Sequence, residues 1–388
     1  MRYHNPRIKN GTITTKVVCA VAFILFSFLW LYEFQADVLA VAQHVLSDGV
    51  THYDRTVGAL LITLVLLLLQ QGVAAVTKLS RRTHALTYLP SMLILTVVSD
   101  ISTTIDMSFS FGAWKWVIPL VLVLWGGAVW LARQMMPFEN DDKQPTGLLS
   151  RRVWLNMLQM TVMMLVVALV GNSNAVFHYS AHAEMSLMQG DTDEALRIGN
   201  KSLETDERLT MLRVYALSQK SQLGERLFYY PIEGTSETIL PLQTPPQILP
   251  ADSIWKHLGA RPVRVMKAEQ YYAALEHDTL ATKAAADYRL CGYLIDRNLD
   301  AFVSMLPRYY EVSDSQPLPR HYQEALVLYR HLRTNPSIVY HHAVIDEDWK
   351  NLQQLEAAYP IPTERKYQAF EHYGSSYWYY YYWKVKGN

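Results

Sequence analysis

His44, Asp48 and His52 follow one another at intervals of four, the spacing that puts imidazole and carboxylate ligands on one helix face, where a divalent metal could sit. Gly49 breaks a helix between Asp48 and His52 and no fourth ligand follows, so no metal is expected there. His341 and His342, with Asp346, Glu347 and Asp348, form a second group of ligand types. Adjacent histidines point in different directions on any regular element, so these acids read instead as the first turn of a helix. A third group is aromatic: the run from Tyr373 to Trp383 is nearly all Tyr and Trp. Those rings could form a stacking platform for sugars or peptides, with Tyr377, Trp378, Tyr381 and Trp383 as its surface. They could also lie at the headgroup level of a membrane, or pack against neighbouring helices, which is the default. No nucleophile elbow, Walker motif, dinucleotide-binding glycine pattern or zinc-protease motif occurs. The residues call for no cofactor and no metal.

The elements that must position these residues fall into two compositions. Half of the 388 residues are apolar and 18% are charged, below the roughly 25% of a soluble domain. Charges are sparse in the first 170 residues and ordinary afterwards. The net charge of zero gives no field that points to nucleic acid. With only Cys19 and Cys291, neither an internal staple of the C-terminal half nor a zinc cluster can be built. Apolar runs near 17–34, 57–77, 85–101, 116–132 and 153–171 approach the roughly 20 residues that cross a bilayer. The third, with Pro90, is the shortest. If all five cross and the N-terminus is cytoplasmic, the inner segments hold eleven basic residues, and the outer loops hold two, Arg55 and Lys115. That is a strong positive-inside asymmetry, and it places the C-terminal half outside the cytoplasm. With four crossings the asymmetry collapses. Gln70 and Gln71, inside the second run, are expected to face the bundle and bond across helices.

The first outer loop carries Val38, Leu39, Val41, Ala42, Val45 and Leu46 at helical spacing, with Gly49 as a stop, and predicts a short amphipathic helix at the interface. An acidic residue after the first span, an interfacial helix, a Gly-containing turn and then Tyr53-Asp54 resemble the first outer loop of C-family (GT-C) glycosyltransferases, which use lipid-phosphate-linked sugars. The resemblance covers about 60 residues and implies a truncated or degenerate module. Its catalytic acid would be Asp37 (or Glu33), with Asp100 or Asp106 of the second outer loop as a further acidic site. Read without the resemblance, these acids are solvated residues outside the membrane, where charge costs little.

After Gly171 the pattern becomes one of short amphipathic helices. Gly190-Asp-Thr-Asp-Glu-Ala195-Leu196, preceded by Tyr179 and Ala183, resembles a tetratricopeptide (TPR) repeat, with Gly199 where an aromatic is usual. Gly224 follows Gly190 by 34 residues, the period of that repeat. The joints at Ile295–Phe302 and Tyr322–Tyr329 look similar. Five prolines between Pro231 and Pro250 exclude a persistent helix and read as an insertion on the face of the array.

These readings combine into an all-α chain with two parts. Residues 1–171 form a bundle of about five transmembrane helices; residues 172–388 form an extracytoplasmic TPR-like α-solenoid carrying the insertion at 231–250. The pattern also resembles polytopic membrane proteins of the Bacteroidota, a resemblance that implies no activity. The expected role is a non-enzymatic, multi-pass protein of the plasma (inner) membrane. Its periplasmic domain would bind a protein or peptide in the cell envelope, its partners being the lipid bilayer and that protein, with no nucleic acid. The glycosyltransferase-like module with Asp37 as its acid is the alternative.

Overall fold

The computed structural model describes residues 6–79, 82–105, 110–136, 150–312 and 318–383, with side chains from Ile13 onward. The described residues are helical, with no strand among them. The chain divides into two units, residues 1–178 and 179–388.

In the first unit, four helices are long and apolar enough to cross a membrane: Ile13–Phe34, Arg55–Thr77, Trp114–Met135 and Arg151–Val170. The first consists of α1 (Pro6–Leu29) and one π turn, Trp30–Phe34. After Gln35 comes α2 (Ala36–Leu46), and Asp54 then caps α3 (Arg55–Thr77) by accepting from the Val57 N–H at 2.7 Å. The run at 85–101 forms a shorter element, five residues of 3-10 helix (His84–Tyr88) followed by α4 (Leu89–Ser99). α5 (Trp114–Met135) and α6 (Arg151–Val170) complete the unit, α6 capped by Ser150.

These helices are held together by an interior of Cys19, Phe23, Leu66, Tyr88, Leu95 and Met160, while Val17, Leu25, Leu61, Val65, Leu124 and Leu165 stay exposed. Such continuous apolar surface is rare on a protein solvated by water and ordinary on one solvated by hydrocarbon. The few interior polar groups bond across helices. Gln70 Nε2 donates to Thr87 Oγ1 (2.9 Å), Ser91 Oγ to the Leu66 carbonyl (2.8 Å), and the Ala85 N–H to Asn156 Oδ1 (2.7 Å). Gln70 thus faces the bundle as expected, whereas Gln71 is exposed. The predicted one-sided helix after the first span is α2, but Val38, Leu39, Ala40 and Val41 are all buried, so more than one of its faces is covered.

Hydrogen bonds fix the two ends of this bundle. At one end Arg133, from the last turn of α5, donates to the Thr77 and Val76 carbonyls that close α3 (both 2.8 Å), a cation on the negative end of a helix. The start of the His84 element is held there too, by Asn156 of α6. At the other end the Trp30 indole donates to Ser99 Oγ (2.8 Å), and the Asn172 N–H, just past α6, donates to the Ser99 carbonyl (2.8 Å). Arg55, opening α3, pairs there with Glu33 (3.0 Å). A Cβ on Gly171 would lie 3.0 Å from the Trp30 ring and 3.2 Å from Ser99, so a larger residue would push these neighbours apart by a few tenths of an ångström. The His84–Ser99 element therefore runs from one end of the bundle to the other, parallel to α1 and α6 and opposed to α3 and α5.

The second unit begins inside α7 (Ala175–Met188). Three of its long helices end in a left-handed residue and pass at once into a short helix. α7 turns at Gly190 (φ 79°) into α8 (Thr192–Arg197), and α9 (Glu207–Gln219) turns at Ser221 (φ 54°) into α10 (Leu223–Arg226). α11 (Ala251–Leu258) and α12 (Ala268–His277) follow, and then α13 (Lys283–Ile295) turns at Arg297 (φ 58°) into α14 (Leu299–Met305). Each turn closes with the N–H of the next residue on a carbonyl five back: Asp191 on Ser186, Gln222 on Leu217, Asn298 on Tyr293. The break that answers Gly190 is thus Ser221, 31 residues on, and not Gly224. Gly224 lies within α10, where a Cβ would come 2.8 Å from Pro319 and 2.9 Å from the Tyr322 ring. Its smallness serves close approach to the next helix, so the 34-residue spacing does not mark equivalent turns. At Gly199 a Cβ would lie 2.7 Å from the Tyr179 ring, so the ring packs directly on this turn.

α9, α13 and α15 (Arg320–Leu332) are buried on nearly all sides, and the remaining helices, α16 (Ala343–Ala358), α17 (Pro362–Tyr373) and α18 (Tyr377–Trp383), follow them. The proline-rich stretch is part of this interior. Ile232, Ile239, Leu240, Ile248 and Leu249 are buried. Glu184 of α7, fully buried, accepts the backbone N–H groups of Gln247, Ile248 and Leu249 at 3.0, 2.5 and 3.0 Å. A segment rich in proline can make few backbone bonds of its own, and this carboxylate supplies the acceptors that no helix or sheet provides.

Candidate functional site

In the first unit a cavity of about 510 Å³ lies among the end of α2, the start of α3, the end of α4 and the start of α5. α2 stops because Asp48 and Gly49 take positive φ (50° and 77°), and the Gly49 N–H closes on the His44 carbonyl (2.8 Å). The chain then returns through Tyr53, whose ring lies against Gly58 so closely that a Cβ there would stand 2.3 Å away. Asp100 ends α4, its N–H on the Thr96 carbonyl, and its carboxylate Oδ2 accepts the Trp114 indole N–H at 2.7 Å. That bond ties the connection between α4 and α5 back on itself, while Asn172 Nδ2 donates to the Ile101 carbonyl (2.6 Å).

The walls are Leu39, Leu46, Ile62, Val98, Ile101 and Phe111; the polar residues are Gln43, Ser47, Ser102, Ser110 and Asp100. Tyr53 also lines the space, and its hydroxyl is shielded from solvent without a hydrogen-bond partner among the described residues. Burial, with Asp54 adding to it, pushes this phenol up to about 12, so it remains a neutral hydroxyl. Asp100 is the one charged side chain among the lining residues. Among the described lining residues no second carboxylate or histidine stands beside it, and the carboxylate can accept hydrogen bonds from a bound group.

The other residues singled out in the sequence are placed as follows. Asp37 is half-buried in the first turn of α2 and is not among the residues lining the cavity. Glu33 pairs with Arg55, and Asp106 lies outside the described residues. His44 and His52 stack at 6.2 Å between ring centres, and no group of three metal-binding side chains occurs among the described residues. His341 and Asp346 instead meet Arg330, which donates to Asp346 Oδ1 at 2.8 Å.

Tyr377 and Trp378, read from the sequence as part of a binding surface, are 0% and 1% exposed, so these two cannot serve as a stacking face. Phe228 packs on Tyr377 and Tyr380 (5.1 and 4.8 Å between centres), and Trp349 on Trp378 (5.2 Å). Tyr381 and Trp383 are half-buried.

Two buried polar centres carry no signal at the sequence level. Glu324, 1% exposed, accepts the Tyr377 N–H (2.7 Å) on Oε2 and Arg320 Nε (2.9 Å) on Oε1, and its backbone carbonyl takes the Trp378 indole N–H (2.7 Å). His321 accepts the Phe228 N–H on Nε2 (3.3 Å), so Nδ1 carries the proton and donates to Glu324 Oε2 (2.9 Å). Asp287 Oδ1 accepts the Tyr310 and Tyr322 hydroxyls (2.6 and 3.0 Å). Both groups stand in helices whose central residues are buried on every face, so no apolar stripe sets them apart.

Burial raises the Asp287 carboxyl above its ordinary 3.8, against the pull of its two tyrosines. A raised folded value means that the folded state binds this proton more tightly. The group's contribution is therefore largest below 3.8 and is lost as pH rises through the folded value. Asp287→Asn keeps an oxygen for both hydroxyls. Thermal unfolding of the full chain in detergent should then show a flatter dependence on pH above 3.8 than the wild type.

Residues 265–384 match a family of unknown function, DUF6057. That stretch holds Asp287, His321, Glu324 and the aromatic helix α18, and covers less than half of the chain. No curated protein and no solved structure gives a significant match.

Proposed function

We propose that this chain is a five-span membrane protein that holds its C-terminal helical unit outside the cytoplasm as a docking module for another protein. The crossing count is supported by the course of the His84–Ser99 element, which joins opposite ends of the bundle. At about 26 Å for its five 3-10 and eleven α-helical residues, it nearly matches a hydrocarbon core of about 30 Å. Five crossings restore the positive-inside asymmetry, with Lys16, Lys78, Arg133 and Arg152 on the cytoplasmic side. The three like-built helix pairs favour the TPR-like reading of the second unit.

The observation that carries the docking role is the loop before α12. Val263 and Val265 are 100% and 94% exposed, set among Arg261, Arg264 and Lys267. Fully exposed aliphatic side chains alternating with cations suit a partner segment that mixes apolar and acidic residues. A photoreactive amino acid at position 263 or 265 of the full chain, irradiated in cells, should give one discrete protein adduct. The adduct should weaken when Arg261 and Arg264 become Glu. The absence of an adduct at both positions, with a folded protein, contradicts the docking role. The enzyme reading gains no such support, because the cavity holds Asp100 without Asp37.

A further inference from the structure

The charge and the walls of the cavity in the first unit define a ligand. We propose that it binds the chain of a membrane amphiphile whose head is a protonated amine. Its volume of about 510 Å³ falls within the roughly 300–1,000 Å³ of ligand sites, and like them it is apolar with a few polar groups. The aliphatic walls from α2, α3 and α4 belong to a unit whose helices are long enough to cross a bilayer, so an alkyl chain is the occupant they would exclude least.

The head is defined by what the lining offers. Among the described lining residues Asp100 is the one charge, and no Lys or Arg is among them. A phosphate or carboxylate head would therefore meet like charge and no counter-ion, whereas an ammonium meets a carboxylate. The Trp114 indole orients that carboxylate by occupying Oδ2. The Tyr53 ring lines the space, while its hydroxyl is turned against Gly58 and shielded from that space. This inference is independent of the orientation of the chain and of any partner of the second unit.

The test uses the full chain in nanodiscs and a hexadecylamine carrying a photoreactive diazirine on its alkyl chain. Labelling should concentrate in residues 39–47, 97–102 and 110–114. Unlabelled hexadecylamine should compete at about tenfold lower concentration than hexadecyl phosphate or hexadecanol, the difference expected of one charge-assisted contact. Hexylamine, which has the head without the chain, should compete poorly. Asp100→Asn, which keeps an acceptor for Trp114, should lower labelling about tenfold. Ala42→Phe, which fills the cavity from α2, should abolish it with the Asp100 charge intact. Labelling spread evenly along the exposed faces of α3 and α5 means bulk lipid only and overturns the proposal. So does equal competition by phosphate, alcohol or hexylamine, or an unchanged Asp100→Asn variant.

Discussion

Glu324→Ala is expected to loosen the start of the C-terminal aromatic helix in the second unit. The substitution removes the acceptor of the Tyr377 N–H at the start of α18 and the partner of His321 and Arg320 in one step. Removing one member of a buried charged network costs on the order of 3–5 kcal/mol, because the groups left behind stay desolvated and unpaired. α18 is short, and Glu324 holds its first turn. The Trp378 indole bond to the residue-324 backbone carbonyl survives the substitution, as do the Tyr380 hydroxyl on the Ile295 carbonyl (2.8 Å) and Arg297 on the Tyr380 carbonyl (3.1 Å), so the loss is centred on the start of the helix. Trp349, Trp378 and Trp383 should then gain solvent, with red-shifted emission, and the chain should become sensitive to protease near Ser375. Glu324→Gln, which retains one acceptor oxygen, should fall between. Emission and protease resistance like those of the wild type in Glu324→Ala would remove Glu324 from this role.

Glu184→Ala should have an effect of similar size at a different place. Three successive backbone N–H groups, of Gln247, Ile248 and Leu249, lose the Glu184 carboxylate as acceptor inside the unit. At about 1–3 kcal/mol for each buried donor left unsatisfied, a loss on the order of 3–9 kcal/mol is expected. The proline-rich stretch should open first, since its own backbone offers few alternatives. Hydrogen exchange of the full chain in detergent should show faster exchange at 247–249 than at α13. Glu184→Gln keeps one oxygen for two of the three N–H groups and turns an amide donor toward the third, so its loss should be smaller. Burial raises the Glu184 carboxyl above its ordinary range while the three N–H groups oppose the shift. The clasp is therefore formed against a desolvation cost, and it persists because the N–H groups have nowhere else to go.

The large elements were legible in the sequence because they rest on composition and period. Four apolar runs became helices long enough to cross a bilayer. Gly190 ended its helix as read, because a left-handed turn is close to a local property. What was illegible depended on distant partners. Ser221 and Arg297 take the same turn without being glycine, so counting glycines chose Gly224, whose constraint comes from Pro319 and Tyr322. The proline-rich stretch read as an insertion on the surface because its acceptor, Glu184, lies some 60 residues earlier in a helix. Tyr377 and Trp378 carried a strong compositional signal, but composition does not distinguish an aromatic surface from an aromatic interior; Phe228, Trp349 and Glu324 decide it. In the first unit, the sequence singled out Asp100 as an acidic residue. Its placement at the cavity depends on the Trp114 bond and on the walls that α2 and α4 bring to it.

The account stands on the direction of the His84–Ser99 element, and labelling of single cysteines on intact cells tests it most directly. Cys19 and Cys291 are buried and should stay silent. Cysteines at the exposed positions Thr51, Ser102, Met135 and Asp278 report the loop before α3, the end of the His84–Ser99 element, the end of α5 and the second unit. Five crossings predict that a membrane-impermeant maleimide reaches Thr51→Cys, Ser102→Cys and Asp278→Cys on intact cells, and Met135→Cys only after permeabilisation. Opposite accessibility of Thr51→Cys and Ser102→Cys would mean that this element does not cross and would contradict the five-span topology.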